Sequence, residues 1–70
     1  MIKTDIKNDF LIYVMEEYKF LEKITSEKLI LLFTEYKIFE YVLKHYDSLH
    51  TLGGRAIVDD INLFVAARQE

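Results

Sequence analysis

The stretch DFLIYVMEEYKFLEKI, residues 9–24, decides the fold. Its apolar residues recur at three- and four-residue intervals through Phe10, Val14, Tyr18 and Leu21, with Leu11 and Ile24 beside them. On a helix turning about 100° per residue these six share one broad face. Tyr13 and Phe20 fall at its other edge, and Asn8, Asp9, Glu16, Lys19, Glu22 and Lys23 fill the opposite side. The spacing predicts a first helix ending near Ile24, with Thr4 or Asp5 as its N-cap.

The same reasoning extends downstream. Thr25 or Ser26 is placed to cap a second helix reaching about Tyr36, with Glu27 favourably set in its first turn. A shorter third helix is expected from Ile38 to Tyr46, where Glu40 and Lys44 have the favourable i,i+4 order. Asp47 to Val58 holds both glycines, Gly53 and Gly54, and reads as an irregular loop; whether Ala56 to Val58 form a short strand stays open. Asp59 then caps a last helix ending near Ala67. The chain has no Pro, no repeat and no linker-like tract. The expected fold is all-α, a small bundle of about four helices with one irregular Gly-containing loop, in a single domain over residues 1–70.

Size and composition restrict function. A chain of this mass folds with about 4,600 Å² of surface against about 12,000 Å² unfolded, a marginal burial of roughly 60%. Yet 51% of its residues are apolar, with five Phe and five Tyr. Part of that apolar surface must meet solvent or a partner. The absence of Cys excludes disulfides, thiolate nucleophiles and cysteine-ligated metals. The apolar runs Phe10–Met15 and Leu29–Phe33 are far too short to span a membrane, and the first residues lack a signal-peptide pattern, so a soluble cytoplasmic protein is expected. Nine basic residues against twelve acidic ones give a net charge of −3, and the basic residues are scattered beside acids. Nucleic-acid binding, which needs a basic face, is disfavoured.

Four large apolar residues depart from the helical faces. Ile12 and Met15 project among the charges of the first helix, Leu31 lies between Lys28 and Glu35, and Leu63 falls off the face made by Ile61, Phe64 and Val65. One or two strays are ordinary surface; four on so short a chain indicate a second contact surface, for another protein or a second copy. The alternative is that the helix phases differ from those read here, or that the first helix is central and surrounded by the others.

Two polar residues sit inside apolar stripes: Glu17 between Ile24 and Phe10, and His45 between Tyr41 and Ile38. As buried groups they would need partners, either each other or a Tyr hydroxyl. Near helix ends they would reach water instead. His45, Asp47 and His50 form the one cluster with metal-ligand character, but their spacing matches no zinc signature, and no cofactor or metal is expected. Gly53-Gly54-Arg55 lacks the Lys and the spacing of a phosphate loop; a tight turn explains the glycines, and Arg55 remains only a candidate contact. A helix-turn-helix reading of the second and third helices would offer Phe39, Tyr41, Val42 and Leu43 to base edges, a face built for packing. No convergent acid, base and nucleophile appear, so an enzyme is not expected.

The segments DFLIYVME (residues 9–16), LILLFTEY (29–36), FEYVLKHYDSLHTLG (39–53) and IVDDI (57–61) together resemble a family of very short bacterial proteins designated a domain of unknown function. That family carries a Leu-His-Thr-x-Gly segment, here Leu49-His50-Thr51-Leu52-Gly53, followed by an acidic pair, here Asp59-Asp60. This chain departs from the pattern in having Gly54-Arg55 where bulkier or charged residues are usual. Members are often encoded beside a protein that looks like an ADP-ribosyltransferase, an arrangement of the toxin–antitoxin kind. The resemblance implies a small neutralising partner that occludes a cleft, with Leu49, His50, Thr51 and Arg55 joining Ile12, Met15, Leu31 and Leu63 as candidate contacts. The competing expectation is a self-associating structural or regulatory module, a homo-oligomer when unpartnered.

Overall fold

Residues 6–69 are described by a computed structural model, in which five helices follow one another. They are α1 (Ile6–Glu22), α2 (Ser26–Glu35), α3 (Ile38–Lys44), α4 (Tyr46–Leu49) and α5 (Gly54–Arg68). No strand occurs among the described residues, and the fold is all-α as expected. Thr4 and Asp5, the expected caps of α1, lie outside the described residues.

Local chemistry ends each helix. Lys23 takes the left-handed conformation (φ 54°), and the Ile24 N–H donates to the Lys19 carbonyl at 3.2 Å. This is the six-to-one bond of a Schellman stop, with Lys where Gly is usual. Two residues later Thr25 is extended, and its Oγ1 accepts the Lys28 N–H at 3.1 Å, so Thr25 rather than Ser26 caps α2. Lys37 is also left-handed (φ 57°) and with Tyr36 makes the two-residue joint between α2 and α3. Its N–H donates to Thr34 at 3.3 Å, while its carbonyl accepts the Tyr41 N–H at 3.2 Å.

α1 packs against α2, α3 and α5, and α2 against α3. Between them lies one core of eleven buried residues, among them Val14, Tyr18, Leu29, Phe33, Ile38, Val42, Ile57 and Ile61. Phe33 is fully buried and meets Tyr18 and Phe39 edge-on, at centroid separations of 5.4 and 5.3 Å. Such T-shaped contacts place the positive ring edge against a negative face.

The irregular segment is shorter than expected. Tyr46–Leu49 form a helical turn, and α5 begins at Gly54, so Ala56, Ile57 and Val58 are helical rather than strand. Asp59 is therefore an exposed residue inside α5, and extended Gly53 occupies the N-cap. The glycine pair marks a helix start, not a long turn, because Ile57 and Val58 must be buried on the same face as Ile61 and Val65. Glu40 and Lys44 form no ion pair; among the described residues the one ion pair is Lys19–Glu16 at 3.9 Å. No helix among them is long and apolar enough to cross a membrane.

Candidate interaction surface

The apolar residues that left the helical faces in sequence do not share one fate. Ile12, Leu31 and Leu63 are 58%, 70% and 71% exposed, whereas Met15 is half-buried against the core. The three neighbours of α1 thus absorb Met15 and leave Ile12 to solvent. Tyr13 and Phe20, expected at the edge of the apolar face of α1, are exposed as well, and Phe20 is the most exposed of all at 76%. They fall in line with exposed Ile6 at seven-residue spacing, so Ile6, Tyr13 and Phe20 make a row about 21 Å long down one side of α1. That row was visible in the spacing. It escapes notice because it adjoins the buried stripe. Ile30 and Leu52 are also exposed.

The Leu-His-Thr-x-Gly segment divides differently. Leu49 is buried at 3% exposure, so its side chain belongs to the core and offers no contact surface. His50 is exposed, but its ring stacks on Tyr46 (4.5 Å, 4° between planes) and its Nδ1 lies 2.8 Å from the Tyr46 carbonyl. A carbonyl only accepts, so the proton sits on Nδ1. Thr51 Oγ1 donates to the Ser48 carbonyl at 2.9 Å. Together these bonds stop α4 and deliver Gly53 to the start of α5. Arg55 is exposed in the first turn of α5.

Neither Glu17 nor His45 is a buried polar group: Glu17 is half-buried, His45 is exposed, and no buried polar side chain occurs among the described residues. They do not meet. His45 lies against the Tyr41 ring at 4.7 Å. The Glu17 carboxylate instead contacts the backbone at Gly54, where any Cβ would collide with it. Gly54 opens α5, whose first turn holds no acid and whose N-cap supplies no side-chain bond. The Glu17 carboxylate of α1 thus lies beside the first residue of α5, at the helix end whose dipole favours an acid.

Tyrosine hydroxyls do find partners, but on α5. Tyr18 donates to Asn62 Oδ1 at 2.6 Å, and Asn62 Nδ2 donates to Glu22 at 3.0 Å. Burial, and secondarily the Glu22 charge, push the Tyr18 phenol up. Tyr41 donates to Asp60 Oδ2 at 2.6 Å. Burial first, then the bond to Asp60 and its charge, raise Tyr41 to about 12, while Arg68 pulls the other way. Tyr41 also stacks on Phe64 at 4.0 Å, and the Arg68 guanidinium covers Phe64 at 4.1 Å. His45, Tyr41, Phe64 and Arg68 thus form a continuous ladder beside the end of α5. Among the described residues no group of three His, Asp or Glu side chains is gathered to hold a metal ion.

The chain belongs to the family described as "Protein of unknown function (DUF3791)", whose model matches residues 9–68. No curated protein and no solved structure matches it.

Proposed function

We propose that this chain is a non-enzymatic interaction module that covers a surface of another protein. The observation supporting this most strongly is the balance of its apolar residues. Among the described residues eight large ones are exposed, against eleven residues in the core. Single exposed apolar residues are ordinary, but a row of three on α1, with Ile12, Leu31 and Leu63 besides, is a large apolar share for so small a surface. The polar pairs Tyr18–Asn62 and Tyr41–Asp60 are spent tying α1 and α3 to α5.

The finer reading follows from the resemblance. The partner is an ADP-ribosyltransferase-like toxin, and the chain neutralises it by steric occlusion of a nucleotide or substrate cleft. The second reading is self-association, favoured by the seven-residue spacing of Ile6, Tyr13 and Phe20, which suits packing against another helix. Capture with a tagged chain from the source cells separates them, with the complex weighed by light scattering and its second component identified by mass spectrometry. A stoichiometric ADP-ribosyltransferase-like protein supports neutralisation. A homo-oligomer with nothing attached moves the weight to self-association.

A further inference from the structure

The exposed row of Ile6, Tyr13 and Phe20 is flanked by charges in a definite order. Asp9, Glu16 and Lys23 alternate with the row residues at steps of three and four, so they lie beside it on one flank of α1 and just past its end. All three are exposed, and Lys19 joins them, its Nζ 3.9 Å from Glu16. Glu16, Lys19, Phe20 and Lys23 line one open hollow of about 610 Å³ with Ile24 and the start of α2. The other charged side chains of α1 are engaged elsewhere: Lys7 lies over the Tyr46 ring at 6.0 Å, Glu17 contacts Gly54, and Glu22 accepts from Asn62. Among the described residues the flank of the row is therefore acidic at 9 and 16 and basic at 19 and 23.

That order selects an occupant. A second copy of α1 laid parallel would set acid on acid and base on base. Laid antiparallel, it sets the acidic half of each flank against the basic half of the other. With a two-fold axis crossing between Tyr13 and Glu16, the level of Asp9 falls within one turn of Lys19 and Lys23 of the second copy. In the same register the two apolar rows interdigitate: Tyr13 of one copy lies between the levels of Tyr13 and Phe20 of the other, and Ile6 reaches the hollow beyond Phe20. The two Glu16 carboxylates are the like charges that come nearest, and each keeps its own Lys19 beside it.

We infer that this face of α1 packs antiparallel against α1 of a second copy, with Ile6, Tyr13 and Phe20 supplying the attachment and the charged flanks its direction. Exposed ion pairs add little affinity but discriminate between orientations. The inference rests on the self-association reading above and draws on neither Leu31 nor Leu63.

The chain has no Cys, so single Cys variants report which positions meet. Under mild oxidation Glu16→Cys should cross-link to itself. Asp9→Cys and Lys23→Cys, mixed, should cross-link to each other several-fold faster than either does to itself. By light scattering the unmodified chain should approach twice its own mass as concentration rises. Phe20→Glu should weaken that dimer about tenfold or more, and Tyr13→Glu serves if Phe20→Glu loses helicity. Asp9→Lys with Glu16→Lys should weaken it as well, and adding Lys19→Glu and Lys23→Glu should restore it. A chain that stays monomeric at about 1 mM removes self-association and this inference together. A dimer that keeps its strength in both Glu variants leaves self-association standing and overturns this face. Asp9→Cys linking fastest to itself, or a four-charge variant that stays weak, overturns the antiparallel arrangement.

Discussion

Adding one methyl group at Gly54 tests how α5 is started. A Cβ there would lie 2.9 Å from Glu17 Cδ and 3.1 Å from Cγ, besides striking the carboxylate oxygen. Gly54→Ala must therefore push Glu17 off the helix N-terminus. The lost carboxylate–dipole interaction amounts to about 0.3–1 kcal/mol. Crowding adds about 1 kcal/mol, the low end for overpacking, because the displaced group is a flexible side chain. Against these, Ala restricts the unfolded chain and returns about 0.4–1 kcal/mol, since Gly54 has no positive φ to protect. The single variant should be destabilised by roughly 0.5–1 kcal/mol. In a Glu17→Ala background the obstruction is gone, and the same substitution should stabilise by about 0.5 kcal/mol. Urea denaturation of the four proteins, followed by circular dichroism, gives the coupling directly. It should be about 1–1.5 kcal/mol, within the range for contacting residues. At roughly 4–8 °C per kcal/mol for a domain of this size, thermal melts would resolve it as well. Additivity within about 0.5 kcal/mol would refute the reasoning, and Glu17 would then be a surface acid that merely passes near Gly54.

Other outcomes follow from the same structure. Leu49→Ala should cost about 2–5 kcal/mol, a large share of what so small a domain possesses, and visibly reduce helicity. His50→Ala, which removes one stacked ring and one exposed hydrogen bond, should cost only about 1 kcal/mol and keep the helices; equal losses for the two would contradict the division between core and surface. Lys23→Gly should raise stability by about 0.5–1 kcal/mol, because relief of the left-handed strain exceeds the entropy that Gly adds to the unfolded chain; a drop in the melting temperature would overturn this. At alkaline pH, Tyr41 is raised from the usual 10 to about 12, so folding favours its protonated form. That stability is complete below pH 10 and is lost as pH rises through 12, so phenolate absorbance should show Tyr41 ionising last, and Tyr41→Phe should flatten the decline. Loss of stability between pH 10 and 12 that is unchanged in Tyr41→Phe would point elsewhere.

How far this was legible in the sequence depends on whether a feature is local. The apolar stripe of Phe10, Val14 and Tyr18 and the Thr25 cap are written within single helical turns, and each has its expected place. The glycine pair was harder. A Gly-Gly step ends helices more often than it begins one; here it begins one because Ile57 and Val58 are buried with Ile61 and Val65, and Gly54 leaves room for Glu17, thirty-seven residues away in the chain. The same long-range contact explains why Glu17 looked misplaced in isolation. His45 looked buried because its helix phase was extended through Lys44, whereas α3 stops there and His45 forms the joint to α4. Tyr13 and Phe20 lie at an edge whose burial depends on whether a neighbouring helix reaches it, and periodicity carries no information about that. Function was less legible still, since the exposure of Ile12, Leu31 and Leu63 does not name what, if anything, covers them.

The most direct measurement of the central claim is the mass of the complex captured by the tagged chain, compared with that of a variant carrying Ile12→Lys, Leu31→Lys and Leu63→Lys together. All three positions are exposed, so the variant should keep its helicity. The account predicts a stoichiometric second protein on the wild-type chain and its loss, or a drop in affinity of about a hundredfold, in the variant. Retention of the same partner at the same stoichiometry by a folded variant would contradict it.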